Sequence, residues 1–198
     1  MINGTPMFGL KKIIKLIQKQ EQILKLCMTD KALFLHGDLH TGNILFNDFG
    51  EKLIDPRGDF IDGSTYFDVC YDTGKLLHDL HAKYSLVRGG HFDLKVEDNS
   101  YWWSVKRDAP FATYEKLLAY YYQWMQREQS HGNDSMLIPK ALLSEGLLLC
   151  GIVPFHLKHT ERSIVLLISG IVLLNKWYGW SSNKLAISDL FLPLDYNS

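Results

Sequence analysis

Along residues 10–28, apolar side chains recur at Ile13, Ile14, Leu16, Ile17, Ile23, Leu24 and Leu26, with lysines and glutamines between them. This spacing predicts a leading helix, spanning about residues 1–30, with one buried stripe and a basic solvated face. Two short β-type runs follow, Ile44-Leu45-Phe46 and Lys52-Leu53-Ile54, around the turn-rich Asn47-Asp48-Phe49-Gly50. They predict a small hairpin. Residues 56–66 read as a polar, glycine-containing loop. Asp68 or Asp72 is suited to cap a helix that runs through Lys75-Leu76-Leu77 to about Tyr84. Residues 89–107 alternate rather than spiral, and Phe92-Asp93-Leu94-Lys95-Val96 is expected to pair with Tyr101-Trp102-Trp103. The helical period returns over residues 114–129, 139–150 and 160–178, with Pro154 breaking the chain between the last two. The expected architecture is mainly α with a small β-hairpin, an α+β class, in a single domain covering residues 1–198.

Composition changes little in that picture. At 198 residues, 46% hydrophobic and 22% charged, the chain suits an ordinary folded domain with its own core. A net charge of −1 and the lack of a Lys/Arg stripe argue against a nucleic-acid partner. The longest apolar run, residues 164–174, contains Ser169 and Gly170 and falls short of the roughly 18 residues of a membrane span. It is expected to be a buried helix, with no membrane partner. Cys27, Cys70 and Cys150 are odd in number and form no C-x-x-C pair. Reduced thiols and a cytoplasmic location are the simplest expectation.

The chemistry concentrates in His36-Gly37-Asp38-Leu39-His40-Thr41-Gly42-Asn43, followed by Ile54-Asp55-Pro56. Phosphoryl transfer from a nucleotide needs a carboxylate to orient the attacking hydroxyl and oxygen ligands for magnesium. Asp38 and Asn43 on one loop, with Asp55 returned beside them by a hairpin, supply those groups.

This pattern resembles the aminoglycoside phosphotransferase and choline/ethanolamine kinase family, relatives of the protein kinases. The resemblance is carried by residues 33–80. It implies the C-terminal lobe of the protein-kinase-like fold, with residues 33–55 as catalytic loop and metal-binding hairpin and residues 68–198 as a helical substrate subdomain. It implies Asp38 as catalytic base, and Asn43 and Asp55 as ligands of Mg2+ carrying ATP. His36 would orient the loop, and Asp72, in Asp72-Thr73-Gly74-Lys75-Leu76-Leu77, would steady it, where the family has Asp-Leu-Ala-Lys-Leu-Leu. Arg57, next to the presumed metal site, is a candidate contact for substrate or phosphates. The implied reaction moves the ATP γ-phosphate to a small-molecule hydroxyl acceptor: a sugar, an amino alcohol or an aminoglycoside-like compound.

The β-rich nucleotide-gripping N-terminal lobe of that family has no counterpart before His36, where no G-x-G-x-x-G occurs and Lys11, Lys12, Lys15 and Lys19 read as solvated charges. A fragment, a truncated product or half of a split enzyme with a separate N-terminal lobe chain is therefore expected, with little activity alone. Two other readings compete. One is a non-catalytic binding or scaffold remnant. The other is a metallohydrolase using His36, Asp38, His40, His78, Asp79 and His81 in H-x-D-x-H and H-D-x-H patterns. Aromatic residues Trp102, Trp103, Tyr120, Tyr121, Tyr122 and Trp124 fit a core better than an acceptor cage. His156, His159 and Arg162 fit surface or capping positions better than acceptor contacts.

Overall fold

The computed structural model describes residues 1–28, 32–57, 64, 66–132 and 134–195. Among them are seven α-helices and three two-stranded antiparallel sheets, the mainly helical α+β class expected. The predicted 56–66 loop falls mostly outside the described residues.

The leading segment is two helices, not one: α1 (Leu10–Gln18) and α2 (Glu21–Cys27). Gln20 between them leaves helical geometry, at φ −84° and ψ 51°. The break re-aims the chain, so Ile13 and Ile17 are buried while Ile23 and Leu24 are only half-buried. Strand β1 (Leu33–Phe34) then leads to the motif loop, which closes in a 3-10 turn at Thr41–Asn43. β2 (Ile44–Asn47) and β3 (Gly50–Leu53) form the expected hairpin, in register Ile44 with Leu53. β4 (Tyr66–Phe67) returns to pair with β1.

Helix α3 (Cys70–Leu80) ends earlier than the sequence suggests. A bend containing Lys83 at φ +59° separates it from α4 (Tyr84–Arg88). β5 (Phe92–Glu97) and β6 (Ser100–Val105) pair as predicted, Leu94 opposite Trp103. α5 (Ala109–Ser130) begins earlier than periodicity alone indicates. The Asp108 carboxylate caps it by accepting from the Phe111 N–H, and Pro110 sits in the first turn, where its missing N–H costs nothing. α6 (Leu137–Gly151) and α7 (Thr160–Ser181) flank a 3-10 segment, Val153–His156, that holds Pro154.

Helix α7 is the centre of the core. It is long and apolar enough to cross a membrane by length and composition. Here Val165, Leu166, Leu173, Leu174 and Trp177 are buried, in a helix packed on α1 and α6. The α6–α7 crossing is close because Gly170 has no side chain. A Cβ there would lie 2.7 Å from Cys150 Sγ and 2.9 Å from the Gly146 carbonyl. The Trp177 indole donates to the Pro139 carbonyl at 2.8 Å, so the largest core side chain also has its polar atom satisfied.

Candidate active site

One face of α3 holds the motif loop at three successive points. Asp72 accepts from the His36 N–H at 2.7 Å and the Gly37 N–H at 2.8 Å. One turn on, the Lys75 ammonium lies 3.0 Å from Asp38 Oδ1. A further turn on, Asp79 accepts from the Thr41 N–H at 2.9 Å and from the Thr41 hydroxyl. Its other oxygen takes the Ser85 N–H at 2.9 Å, which ties the start of α4 to the same carboxylate. Positions i, i+3 and i+7 share a helix face, so Asp72, Lys75 and Asp79 read the loop residue by residue. Gly37 makes the first contact possible, since its φ of +78° favours glycine.

Asp72 is thus not a helix cap. Asp68 serves the helix entrance instead, accepting from the Cys70 N–H at 2.8 Å. The Thr73-Gly74 pair also has a local reason. A Cβ on Gly74 would sit 2.7 Å from the Ser144 side chain and 2.8 Å from the Ala141 carbonyl. Glycine lets α3 lie against α6, and so sets the height of the face that carries the loop.

Within the loop, His36 Nε2 donates to the Ile54 carbonyl at 2.9 Å, while its Nδ1 accepts the Asp38 N–H at 3.3 Å. His36 therefore links the loop to the hairpin end. The Asn43 amide nitrogen donates to the Asp38 carbonyl at 3.0 Å and approaches Asp38 Oδ2 at 3.4 Å. With its NH2 turned to Asp38, the carbonyl of Asn43 is directed away from that residue. The Ile54 N–H donates to the Asn43 main-chain oxygen at 3.0 Å, which brings Asp55 one residue from that junction. Asp55 is exposed and holds φ +54° directly before Pro56. Positive φ in a non-glycine residue costs of order 1–3 kcal/mol and tends to occur at functional sites. Arg57 is fixed by its own N–H to the His36 carbonyl at 2.8 Å, and its guanidinium donates to the Tyr71 hydroxyl at 3.0 Å.

His40 Nδ1 accepts the Gly42 N–H at 3.1 Å, and its Nε2 lies 3.8 Å from Asp38 Oδ2. Beneath it, His78 is fully buried, tilted against the Tyr84 ring at 4.3 Å between centroids, with neither ring nitrogen hydrogen-bonded. Burial holds His78 well below the ordinary imidazole range, and the nearby Lys75, His40 and His156 add to the effect.

No family model, no curated protein and no solved structure matches the chain.

The histidine-rich metal reading finds little support in this geometry. His81 is turned to the buried Glu145, 3.1 Å from both carboxylate oxygens. Asp79 is engaged by Thr41 and Ser85, and no group of three or more His, Cys, Asp or Glu suited to a metal occurs among the described residues. Asn43 and Asp55 carry oxygen donors of the kind a hard cation takes, one amide carbonyl and one carboxylate. That set suits magnesium, which typically takes one or two protein carboxylates alongside phosphate and water oxygens.

Of the residues named from sequence, the fold brings His36, Asp38, Asn43, Arg57 and Asp72 into one hydrogen-bonded unit, with Asp55 at its edge. Lys75 and Asp79 were missed as loop contacts. Their signal was present in the D-x-x-K-x-x-x-D spacing from Asp72, the face of one helix. His156, Nε2 of which lies 3.3 Å from the Tyr84 hydroxyl, belongs to the support beneath the loop.

Proposed function

We propose that this chain is the catalytic and metal-holding part of a small-molecule phosphotransferase, with the architecture of a kinase-like C-terminal lobe. The observation that carries the reading is the Asp38–Asn43 pairing, tied through Ile54 to Asp55. Asp38 orients the acceptor hydroxyl and accepts its proton. The acceptor oxygen bonds to the γ-phosphorus of ATP as the bond from that phosphorus to the ADP oxygen breaks. Asn43 and Asp55 would hold Mg2+, which neutralises phosphate charge as that bond breaks. Asn43 has a second task, fixing the Asp38 backbone and side chain together. In this reading a nucleotide-gripping lobe completes the site, whether it belongs to the same polypeptide or to another.

Two contacts favour a binding-module alternative. Lys75 pairs with Asp38 Oδ1, and Oδ2 already receives the Asn43 amide at 3.4 Å.

The test has two arms. Mn2+–ATP added to the 198-residue chain should broaden the amide resonances of Asn43 and Asp55, and Asp55→Ala should remove the effect. In any assembly that turns over, Asp38→Asn, which keeps an oxygen for Lys75, should lower kcat by about 10²–10⁴ in a protein that still folds. Unchanged turnover would overturn the assignment. Rapid ATP turnover by the chain alone would remove the need for a separate lobe, while metal–nucleotide binding without turnover in any assembly would favour the binding module.

A further inference from the structure

Beside the loop lies an open pocket of about 520 Å³, within the size range of small-molecule sites. Its walls come from α2, β4, the start of α3, one side of α6 and the 3-10 segment after it. Most of that lining is apolar, including Leu143, Leu147, Leu148, Ile152, Phe67 and Phe155. Lys75 and Arg57 also line it, and Lys75 bonds Asp38 at 3.0 Å. That end of the pocket therefore abuts the proposed base.

The charged groups in the lining already have partners. Asp68 lies 3.4 Å from Lys140 and takes the Cys70 N–H, and Lys140 also bonds Asp134. Lys75 is held by Asp38, and Arg57 donates to Tyr71. The two thiols are uncharged at neutral pH, since burial pushes Cys27 up to about 11 and Cys70 higher still. No uncommitted carboxylate remains among the described lining residues to meet an ammonium group. Placing an unpaired charge against such walls is unfavourable.

Resting on the phosphotransfer reading, we propose that this pocket is the acceptor site and that the acceptor is an uncharged alcohol with an apolar body. Its hydroxyl points past Lys75 and Arg57 to Asp38. An aminoglycoside or choline-like cation finds no free carboxylate among the described lining residues, although Phe67 and Tyr71, 6.0 Å apart edge to face, offer rings that a quaternary ammonium could use.

Three probes with one eight-carbon body separate these cases: octane-1,8-diol, 8-hydroxyoctanoate and 8-hydroxyoctyl-trimethylammonium. Titrated into the 198-residue chain and followed by amide and methyl resonances, the diol should shift Leu147, Gly151 and Ile152. It should bind at least tenfold more tightly than either charged probe. Gly151→Trp fills the pocket from a position where an added Cβ meets nothing within 4 Å, and should abolish the shifts. Leu147→Trp, at a side chain 45% exposed, provides a second filled variant should the first fail to fold.

Equal or tighter binding of the ammonium or the carboxylate overturns the proposal, as does diol binding that survives in a folded pocket-filled variant. The phosphotransfer reading fails separately. If the diol binds as stated but no label passes to it from γ-labelled ATP in any assembly, the pocket keeps its preference for uncharged ligands and the acceptor role falls.

Discussion

The two halves of the candidate site are built on different foundations. The base side, residues 36–43, rests on α3, and the contacts beneath it are buried: Asp79 and His78 are fully enclosed, and Asp72 and Lys75 nearly so. The proposed metal side rests on the β2–β3 hairpin, whose side chains are mostly exposed, with Phe46 77% and Phe49 99% accessible. Asp55 stands at its end with a strained backbone. One half is therefore part of the core and the other is attached to it by a short ladder and by two hydrogen bonds of His36, one to the Ile54 carbonyl and one from the Arg57 N–H. Changes under the loop should cost stability and function together, whereas changes on the hairpin should cost function alone.

The strongest test of that contrast is Asp79→Ala. It takes the acceptor from the half-buried Thr41 N–H, Thr41 hydroxyl and Ser85 N–H, at a cost of about 2–4 kcal/mol. Urea unfolding would read the loss, and a change below about 0.5 kcal/mol would mean that the loop does not depend on α3. Gly74→Ala comes next. Ser144 can turn only part of the way from the new methyl, and the Ala141 carbonyl not at all, so overpacking of about 1–3 kcal/mol is expected. The same measurement applies, and a neutral result would show that α3 and α6 have room to part.

The third test uses pH. The folded-state pKa of His78 is lowered, so below the unfolded value of about 6.5 the unfolded chain binds a proton that the folded chain does not. Its contribution to stability is intact above that pH and is lost as the pH falls. The loss is about 1.4 kcal/mol per unit until the folded pKa is reached. His78→Phe keeps a ring against Tyr84, removes two unpaired nitrogens and should flatten this acid limb. An acid limb unchanged in that variant would place the titration elsewhere.

The same contrast explains what could be read from the sequence. The loop and hairpin were legible because their chemistry is local: Asp38, Asn43 and Asp55 sit at fixed offsets, and Ile44 and Leu53 bracket a turn. The helices of the core followed from periodicity, although the break at Gln20 did not, since neither glycine nor proline marks it. Asp79 was visible only as part of H-D-x-H, a pattern that suggests a metal ligand. Its role depends on a helix axis lying beneath the loop, which no local spacing encodes. Gly74 looked like a departure from a familiar motif. The close approach of α6, distant in sequence, gives it a reason.

The smallest expected effect is the most selective. Asp55→Gly removes a carboxylate from the exposed end of the hairpin and places at φ +54° a residue for which that geometry is ordinary. Relief of strain and the greater entropy of an unfolded glycine oppose each other, so stability should move by less than about 1 kcal/mol. Mn2+–ATP broadening at Asn43 should nonetheless disappear. A folded protein that keeps its stability and loses the metal would separate the hairpin's function from the core. Loss of both would mean that Asp55 supports the fold through contacts of its own, and the division between the two halves would have to be redrawn.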